Sequence, residues 1–454
     1  MSKSYVEKWS LLLGRDRFRT RSPKIDEDAR DPFEDDYGRL VSSAEIRRLQ
    51  GKTQVFPLPE SGYPRTRLTH SMEVSFFAAS IGKSIEKFIR DKGDLPEGTD
   101  GYLVSLLRVA GLVHDLGNTP FGHFGEKAIQ DFFAKYLDSL EVALSPQQNK
   151  DLLCFDGNVQ TFRLLSKLHF LKDEYAFNLT YQTLSAIVKY PCSSLDGNIE
   201  GNLERKKFGF FESESEIFKT IDSKLQLGGH RNPLTFIVEA ADDIAFRAAD
   251  IEDAVRLGVL SIEDILEIFN EELAKKKDIV LANFQEYLNK FRGLKKCSPE
   301  LFKMSVIQNI RISNQTMMIQ GAINAFKNNY DEIMQGRYNE ELLKTSDCAD
   351  LHEACKMIFN RILGNKRVLR LETAGYTAIN GLLSLFVSAI LDKKRKVGTF
   401  NQHLYDLISQ EYRTLYERGT KTDYNGLQLA VDYVSGMTDA YAIDLYQRLS
   451  GIRI

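Results

Sequence analysis

Cysteine is scarce in this chain. Five residues among 454, at positions 154, 192, 297, 348 and 355, are odd in number and form no Cys-x-x-Cys pair. That excludes a disulfide framework and a thiolate zinc site, and it fits a reducing compartment. Charge of one sign is lacking too. The 60 Lys and Arg against 63 Asp and Glu leave a formal net charge of −3, so a general nucleic-acid coat protein is excluded and only local basic pockets remain open. Long apolar runs are also absent. The most apolar stretch, Leu382 to Leu391, is about half of the roughly 20 residues that a membrane span needs. The first residues, MSKSYVEKWSLLLGRDRF, lack the apolar core of a signal peptide. The expectation is a cytoplasmic protein with no membrane association. No internal repeat is detectable.

What is present is an ordinary soluble composition, 43% hydrophobic and 27% charged, over a length that suggests two or three domains. Residues 1–41 are charged and poorly periodic and read as an extended arm. Ser42 followed by Glu45 has capping-box spacing and signals a helix start. Residues 57–66 read as a loop. A helix from about Thr69 to Asp91 carries Val74, Phe77, Ile81, Ile85 and Phe88 at helical spacing, and a second helix carries Leu103, Leu106, Leu107, Ala110 and Val113. Further helices are expected near 126–138, 158–168, 180–188, 234–256, 262–275, 279–292, 299–327, 338–362, 370–391, 402–418 and 437–449. Strand signals are confined to 198–201 and 207–211, a small hairpin at most. The fold class is all-α, with a motif-bearing core over 42–260 and a C-terminal helical region, 261–454, packed on it. Lys393 to Lys396, a run of four basic residues, reads as a solvated helix end favoured by the macrodipole.

The chemistry concentrates in His114-Asp-Leu-Gly-Asn-Thr-Pro-Phe-Gly-His-Phe-Gly-Glu126. An adjacent imidazole and carboxylate can clasp one metal ion. The turn that follows presents His123 and, three residues later, Glu126, the types and spacing of a proton-transfer pair. His70 lies four residues before Val74 and seven before Phe77, hence on the buried face of its helix; His114 falls on the same stripe as Leu107 and Ala110. A third element, Phe236-Ile-Val-Glu-Ala-Ala-Asp-Asp-Ile-Ala-Phe246, places two carboxylates in an apolar helix. Burying them unpaired costs several kcal/mol, so Asp242 is expected to meet a cation and Asp243 to support it or face solvent. A His₂Asp₂ set suits Mn²⁺, Fe²⁺, Co²⁺, Zn²⁺ or Mg²⁺.

These residues resemble a known family, the HD-domain deoxynucleoside triphosphate triphosphohydrolases typified by bacterial dGTPase. The likeness rests on Arg47-Arg-Leu-Gln-Gly-Lys-Thr-Gln-Val-Phe-Pro, Arg65-Thr-Arg-Leu-Thr-His-Ser-Met-Glu-Val, the 114–126 segment, Phe155-Asp-Gly-Asn-Val-Gln, Asn178-Leu-Thr-Tyr, Lys189-Tyr-Pro, Glu239-Ala-Ala-Asp-Asp-Ile, Asp250-Ile-Glu-Asp-Ala and Asp432-Tyr-Val-Ser-Gly-Met-Thr-Asp. The resemblance implies hydrolysis of a dNTP (dGTP or several) at the α-phosphorus, with release of deoxynucleoside and tripolyphosphate. It implies that His70, His114, Asp115 and Asp242 hold a divalent ion, Mn²⁺, Mg²⁺ or a similar first-row metal, and that His123 and Glu126 are catalytic. Arg65, Arg67 and Lys189 become phosphate contacts; Gln50 and Gln54 become sugar or base contacts, with Asn158 and Gln160 weaker candidates. His169, His230, His352 and His403 match nothing and read as structural. The likeness also implies a homo-oligomer, with a hexamer as the first expectation, and leaves room for a dNTP or single-stranded DNA as effector.

One departure stands out. Family members often place a Tyr four residues after the Asp ligand, and this chain has Phe246. Its ring is expected on the C2′ side of the sugar, with Asp250 one turn further accepting from the 3′-hydroxyl. The alternative reading is an HD phosphohydrolase for another nucleotide: a nucleoside monophosphate, a cyclic dinucleotide or an alarmone.

Overall fold

The computed structural model describes residues 5–19, 29–56, 65–169, 173–273 and 298–452. The helix expected over 279–292, Cys297 and most of the 57–66 loop lie outside these residues. The described chain is all-α: among its residues the β structure amounts to one isolated bridge, Thr53 with Thr66.

Helix α1 (Ala44–Arg48) is short and starts at Ser43, whose hydroxyl accepts from the Ile46 amide at 3.3 Å. The capping-box spacing of Ser42 and Glu45 is therefore not used, and Glu45 turns inward instead. Helix α2 (Arg67–Asp91) begins at a true capping box, Thr66 with Thr69, and α3 (Tyr102–Val113) packs along it. Val74, Ile81, Ile85, Leu103, Leu106, Leu107, Ala110 and Val113 are all buried between them and their neighbours. Gly111 permits the approach: a Cβ there would lie 2.9 Å from the Ser75 backbone of α2. After the site-bearing turn come α4 (His123–Tyr136), α5 (Gly157–Arg163) and α6 (Pro233–Arg256). Helix α6 lies against α2, against α7 (Pro299–Asn328) and against α8 (Ala349–Leu363).

The C-terminal part is built on α9 (Lys366–Leu391), which packs on α4 and on two later helices, α11 (Asp423–Ser435) and α12 (Asp439–Leu449), with α10 (Gln410–Arg418) bracing α11. By length and composition the 24 residues Val368–Leu391 are apolar enough to cross a membrane. The ten-residue run read from the sequence is thus only the end of a longer apolar helix. Ile379, Leu382, Leu383, Phe386 and Val387 are buried within the bundle, as in a core helix.

Further expectations change. The stretch read as an extended arm contains helices at Val6–Leu12 and Pro32–Val41; the second has an Asp31/Glu34 capping box with Pro at its start, and Trp9 of the first is buried, donating to the Tyr330 hydroxyl at 2.8 Å. The 198–211 hairpin is a series of turns, because positive φ at Asn198 and Gly201 prevents a ladder. The expected 402–418 helix is two, Phe400–Leu407 and α10, while the 338–362 helix starts only at Ala349.

Candidate metal centre and active site

His70 sits in the first turn of α2, His114 at the C-cap of α3 with Asp115 beyond it, and Asp242 midway along α6. Three helices therefore deliver four side chains to one point. Asp242 Oδ1 lies 3.2 Å from His70 Nε2 and 3.3 Å from His114 Nε2, and Asp115 Oδ1 is 3.5 Å from His114 Nε2. The His114 ring is fixed from behind, its Nδ1 bonding the Gly111 carbonyl at 2.8 Å. That bond puts the proton on Nδ1 and leaves Nε2, buried and without a hydrogen-bond partner, facing two carboxylate oxygens. Lone pairs aimed at one another are repulsive unless a cation stands between them, so this donor set fits a divalent ion.

The outer oxygens of both carboxylates are taken by cations. Arg67 Nη1 donates to Asp115 Oδ2 at 2.6 Å, and Lys189 Nζ to Asp242 Oδ2 at 3.1 Å. Each Asp thus keeps one oxygen turned inward, the orienting arrangement expected around a metal ligand. Burial opposes the charge on Asp242, but Lys189 and His114 hold its carboxyl well below the usual range. His114 is pushed down by burial and up by Asp115 and Asp242, with a net rise; the cluster draws positive charge.

Beside this centre, α4 opens on the turn Phe121-Gly122, both residues at positive φ. His123 Nδ1 donates to Glu126 Oε2 at 3.0 Å, while Glu126 Oε1 accepts from the Gly157 amide at the start of α5, at 2.8 Å. Glu126 is buried, and the His123 side chain is 88% exposed. The hydrogen bond from His123 to Glu126 raises the imidazole pKa. Because a carboxylate only accepts, the bond fixes the proton on Nδ1 and leaves Nε2 free for proton transfer.

A polar cavity of about 260 Å³ adjoins Asp242 and Lys189. Its wall adds Arg247, Lys344, Lys356 and His352, and His352 Nε2 meets Asp243 at 3.0 Å. Sequence reading left His352 as structural and did not name the three cations. Arg247 was findable, one turn after Asp243 on the same helix face, where they pair at 3.3 Å. Lys344, His352 and Lys356 come from a distant part of the chain and gave no signal. A larger groove of about 600 Å³, between α9 and α12, contains none of the predicted site residues.

The remaining predicted residues divide. Gln54 is half-buried with its Oε1 unpartnered, and Gln50 is exposed, its Oε1 3.4 Å from the Thr66 hydroxyl. Phe246 packs edge-on against Phe359 of α8 at 4.5 Å. Asp250 is buried with Oδ2 unpartnered, and burial together with Asp253 pushes its pKa well above the ordinary value. Arg65 is redirected: its guanidinium is divided among Glu73, Glu252 and Asp253 at 2.6–3.0 Å, which leaves it no free face for a phosphate. Asn158 and Gln160 are also committed within the protein, to Asp156 and Asp432.

Comparison with known proteins agrees with this architecture. Residues 67–174 match the HD domain, and residues 347–448 match the phosphohydrolase-associated domain. The chain is 38% identical, over 98% of its length and 100% of the relative's, to a deoxyguanosinetriphosphate triphosphohydrolase-like protein of Listeria monocytogenes. It is 32% identical, over 92% of its length and 93% of the relative's, to the deoxyguanosinetriphosphate triphosphohydrolase of Yersinia enterocolitica. A deoxyguanosinetriphosphate triphosphohydrolase-like protein of Synechocystis is 30% identical over 98% of this chain and its own full length.

Proposed function

The chain belongs to the HD-domain family of deoxyguanosinetriphosphate triphosphohydrolases and their like, and from that premise we propose that it hydrolyses deoxynucleoside triphosphates, dGTP or several, to deoxynucleoside and tripolyphosphate. The observation that carries the reading is the convergence of three helices on His70, His114, Asp115 and Asp242, with the His123–Glu126 pair alongside and a polar cavity of mixed charge next to Asp242. In this reading residues 42–260 form the catalytic core and 261–454 the region packed on it.

The four residues would hold a divalent ion, Mn²⁺, Mg²⁺ or a similar first-row metal, which would supply Lewis-acid chemistry at a phosphoryl oxygen. A triphosphate carries about four negative charges that an overall acidic chain must meet locally. Arg67 and Lys189 at the centre are placed to do so, each holding one carboxylate oxygen, and Arg247, Lys344 and Lys356 in the cavity each pair with a single carboxylate, unlike Arg65, which is shared by three. His123 exchanges a proton at the reacting centre through Nε2, and Glu126 orients it and steadies its charged form. Gln50 and Gln54 contact sugar or base. Phe246 packs on the C2′ side, and Asp250 accepts a hydrogen bond from the 3′-hydroxyl.

Incubating the protein with each dNTP and Mn²⁺ or Mg²⁺, and reading both nucleoside and polyphosphate, tests the reaction. Tripolyphosphate in equal amount to deoxynucleoside is expected; release of monophosphate or pyrophosphate instead would overturn it. The same reading includes a cytoplasmic homo-oligomer, a hexamer in the first instance, with a dNTP or single-stranded DNA as effector. A monomeric mass in light scattering, with and without nucleotide, would contradict the assembly.

A further inference from the structure

Outside the candidate active site, three side chains from separate elements meet: Glu45 on α1, His169 just after a π-helical turn at Leu164–Leu168, and Glu411 on α10. Their donor atoms all lie within 4.8 Å of one another. We propose that Glu45, His169 and Glu411 form a second divalent-cation site, of the kind zinc occupies, which ties α1 to α10.

The geometry suits an ion better than a hydrogen bond. His169 Nδ1 stands 3.4 Å from Glu45 Oε1 and 3.4 Å from Glu411 Oε1. Both separations exceed the 2.7–3.2 Å usual for N–H donation. A tetrahedral ion with ligand bonds of about 2.1 Å sets its donors about 3.4 Å apart. The imidazole is already oriented: it stacks on Phe177 with centroids 4.0 Å apart and planes within 6°, which aims Nδ1 at both carboxylates. The Glu45 side chain is 3% exposed, and its second oxygen, Oε2, is buried with no hydrogen-bond partner. Glu411 is 36% exposed, so a fourth position opens to solvent.

The charges are compatible. Two glutamates face one imidazole, and Arg48 reaches Oε1 of Glu45 at 3.0 Å. Imidazole with carboxylates accepts Zn²⁺, Co²⁺ or Mn²⁺, with Mn²⁺ the weakest by intrinsic affinity.

The test is a metal count on chelator-stripped full-length protein, with Zn²⁺ read by elemental analysis and Co²⁺ by its visible absorption. The wild type is expected to bind about two equivalents at micromolar free ion, and His169→Ala and His114→Ala about one each. Glu411→Gln, a change at a half-exposed position that leaves folding intact, is expected to weaken the second site at least 10-fold, the lower end of the loss seen when a site's supporting groups are altered. Zn²⁺ should raise the Tm of His114→Ala and fail to raise that of His114→Ala combined with Glu411→Gln. If His169→Ala and Glu411→Gln bind as much ion as tightly as the wild type, the proposal is overturned and the cluster is a protonated histidine clasped by two glutamates. Should His169→Ala fail to fold by circular dichroism, Glu411→Gln alone decides. If His114→Ala keeps its full complement while His169→Ala loses one equivalent, the second site stands and the active-site metal assignment falls.

Discussion

His123 shows how one side chain acquires a role. Its ring lies in solvent, yet its proton is fixed by a buried glutamate that is itself held by the Gly157 amide. His123→Ala is expected to lower turnover about 10²–10⁴-fold, the usual scale for a positioned acid–base group, while the metal content stays at the wild-type value. Loss of metal with much of the rate retained would instead make His123 a ligand. Asp250 offers a second test. Its Oδ2 is buried without a hydrogen-bond partner in the protein, so Asp250→Asn, which keeps an oxygen that can accept, should be tolerated better than Asp250→Ala. The Ala variant should lose about 5- to 150-fold in kcat/KM on dNTPs, equivalent to an unpaired hydroxyl at roughly 1–3 kcal/mol, and much less on 2′,3′-dideoxy analogues. Equal losses on both would return Asp250 to a structural role.

Among the elements, α9 reaches the active site without contributing a ligand. A Cβ at Gly375 would stand 2.3 Å from the ring of Phe121, which precedes Gly122 and His123 in the turn. That turn is also anchored by Asp439, which accepts from the Phe121 amide at 3.0 Å and, through its other oxygen, from Thr53. Gly375→Ala must displace the ring, at about 1–3 kcal/mol for overpacking, and should cut kcat at least about 10-fold in a protein that still folds. Gly381→Ala on the same helix meets Tyr446 at 2.1 Å instead and should cost stability with kcat unchanged; matching effects on kcat would refute the coupling. The basic run at 393–396 supplies the expected helix end. Arg395 donates to the Ala389 carbonyl at 2.6 Å and lies over the Tyr405 ring at 3.7 Å.

At the scale of the whole molecule, core and C-terminal region are joined by a buried polar seam. Arg163 of α5 is shared by Glu214 and by Asp432 of α11, each at 2.7 Å, and Lys52 donates to the Ser435 carbonyl at 2.9 Å. Asp151 belongs to the same seam, accepting from the Tyr424 hydroxyl of α11 at 2.5 Å and from the Glu212 amide at 2.8 Å. Burial raises its pKa from 3.8 to about 6. Its folded pKa lies above the unfolded one, so folding takes up a proton: the contribution is complete below pH 3.8 and is lost as pH rises through about 6. The change is at most roughly 3 kcal/mol. Denaturant melts of the wild type and Asp151→Asn between pH 4 and 7 should show this slope only in the wild type; identical pH profiles would rule it out.

The sequence by itself determined most of the helices and brought out the histidines and carboxylates that cluster. Periodicity put His70 and His114 on apolar faces, and an apolar helix with two adjacent carboxylates required a cation near Asp242; all three now lie within 3.3 Å of one another or of a shared oxygen. Such features are local, set by spacing of 3.6 residues and by the cost of burying charge. Long-range partners were beyond it. Nothing in the spacing told Arg65, which spends its charge on α6 carboxylates, from Arg67, which faces Asp115. The Asp31 cap was legible in principle, but the burial of Trp9 against Tyr330, 321 residues away, was not. Nor could Glu45, read as half of a capping box, be seen to face His169 and Glu411. Only the tertiary structure decided these, because a charged side chain takes the nearest opposite charge in space, and the packing of distant helices determines which one that is.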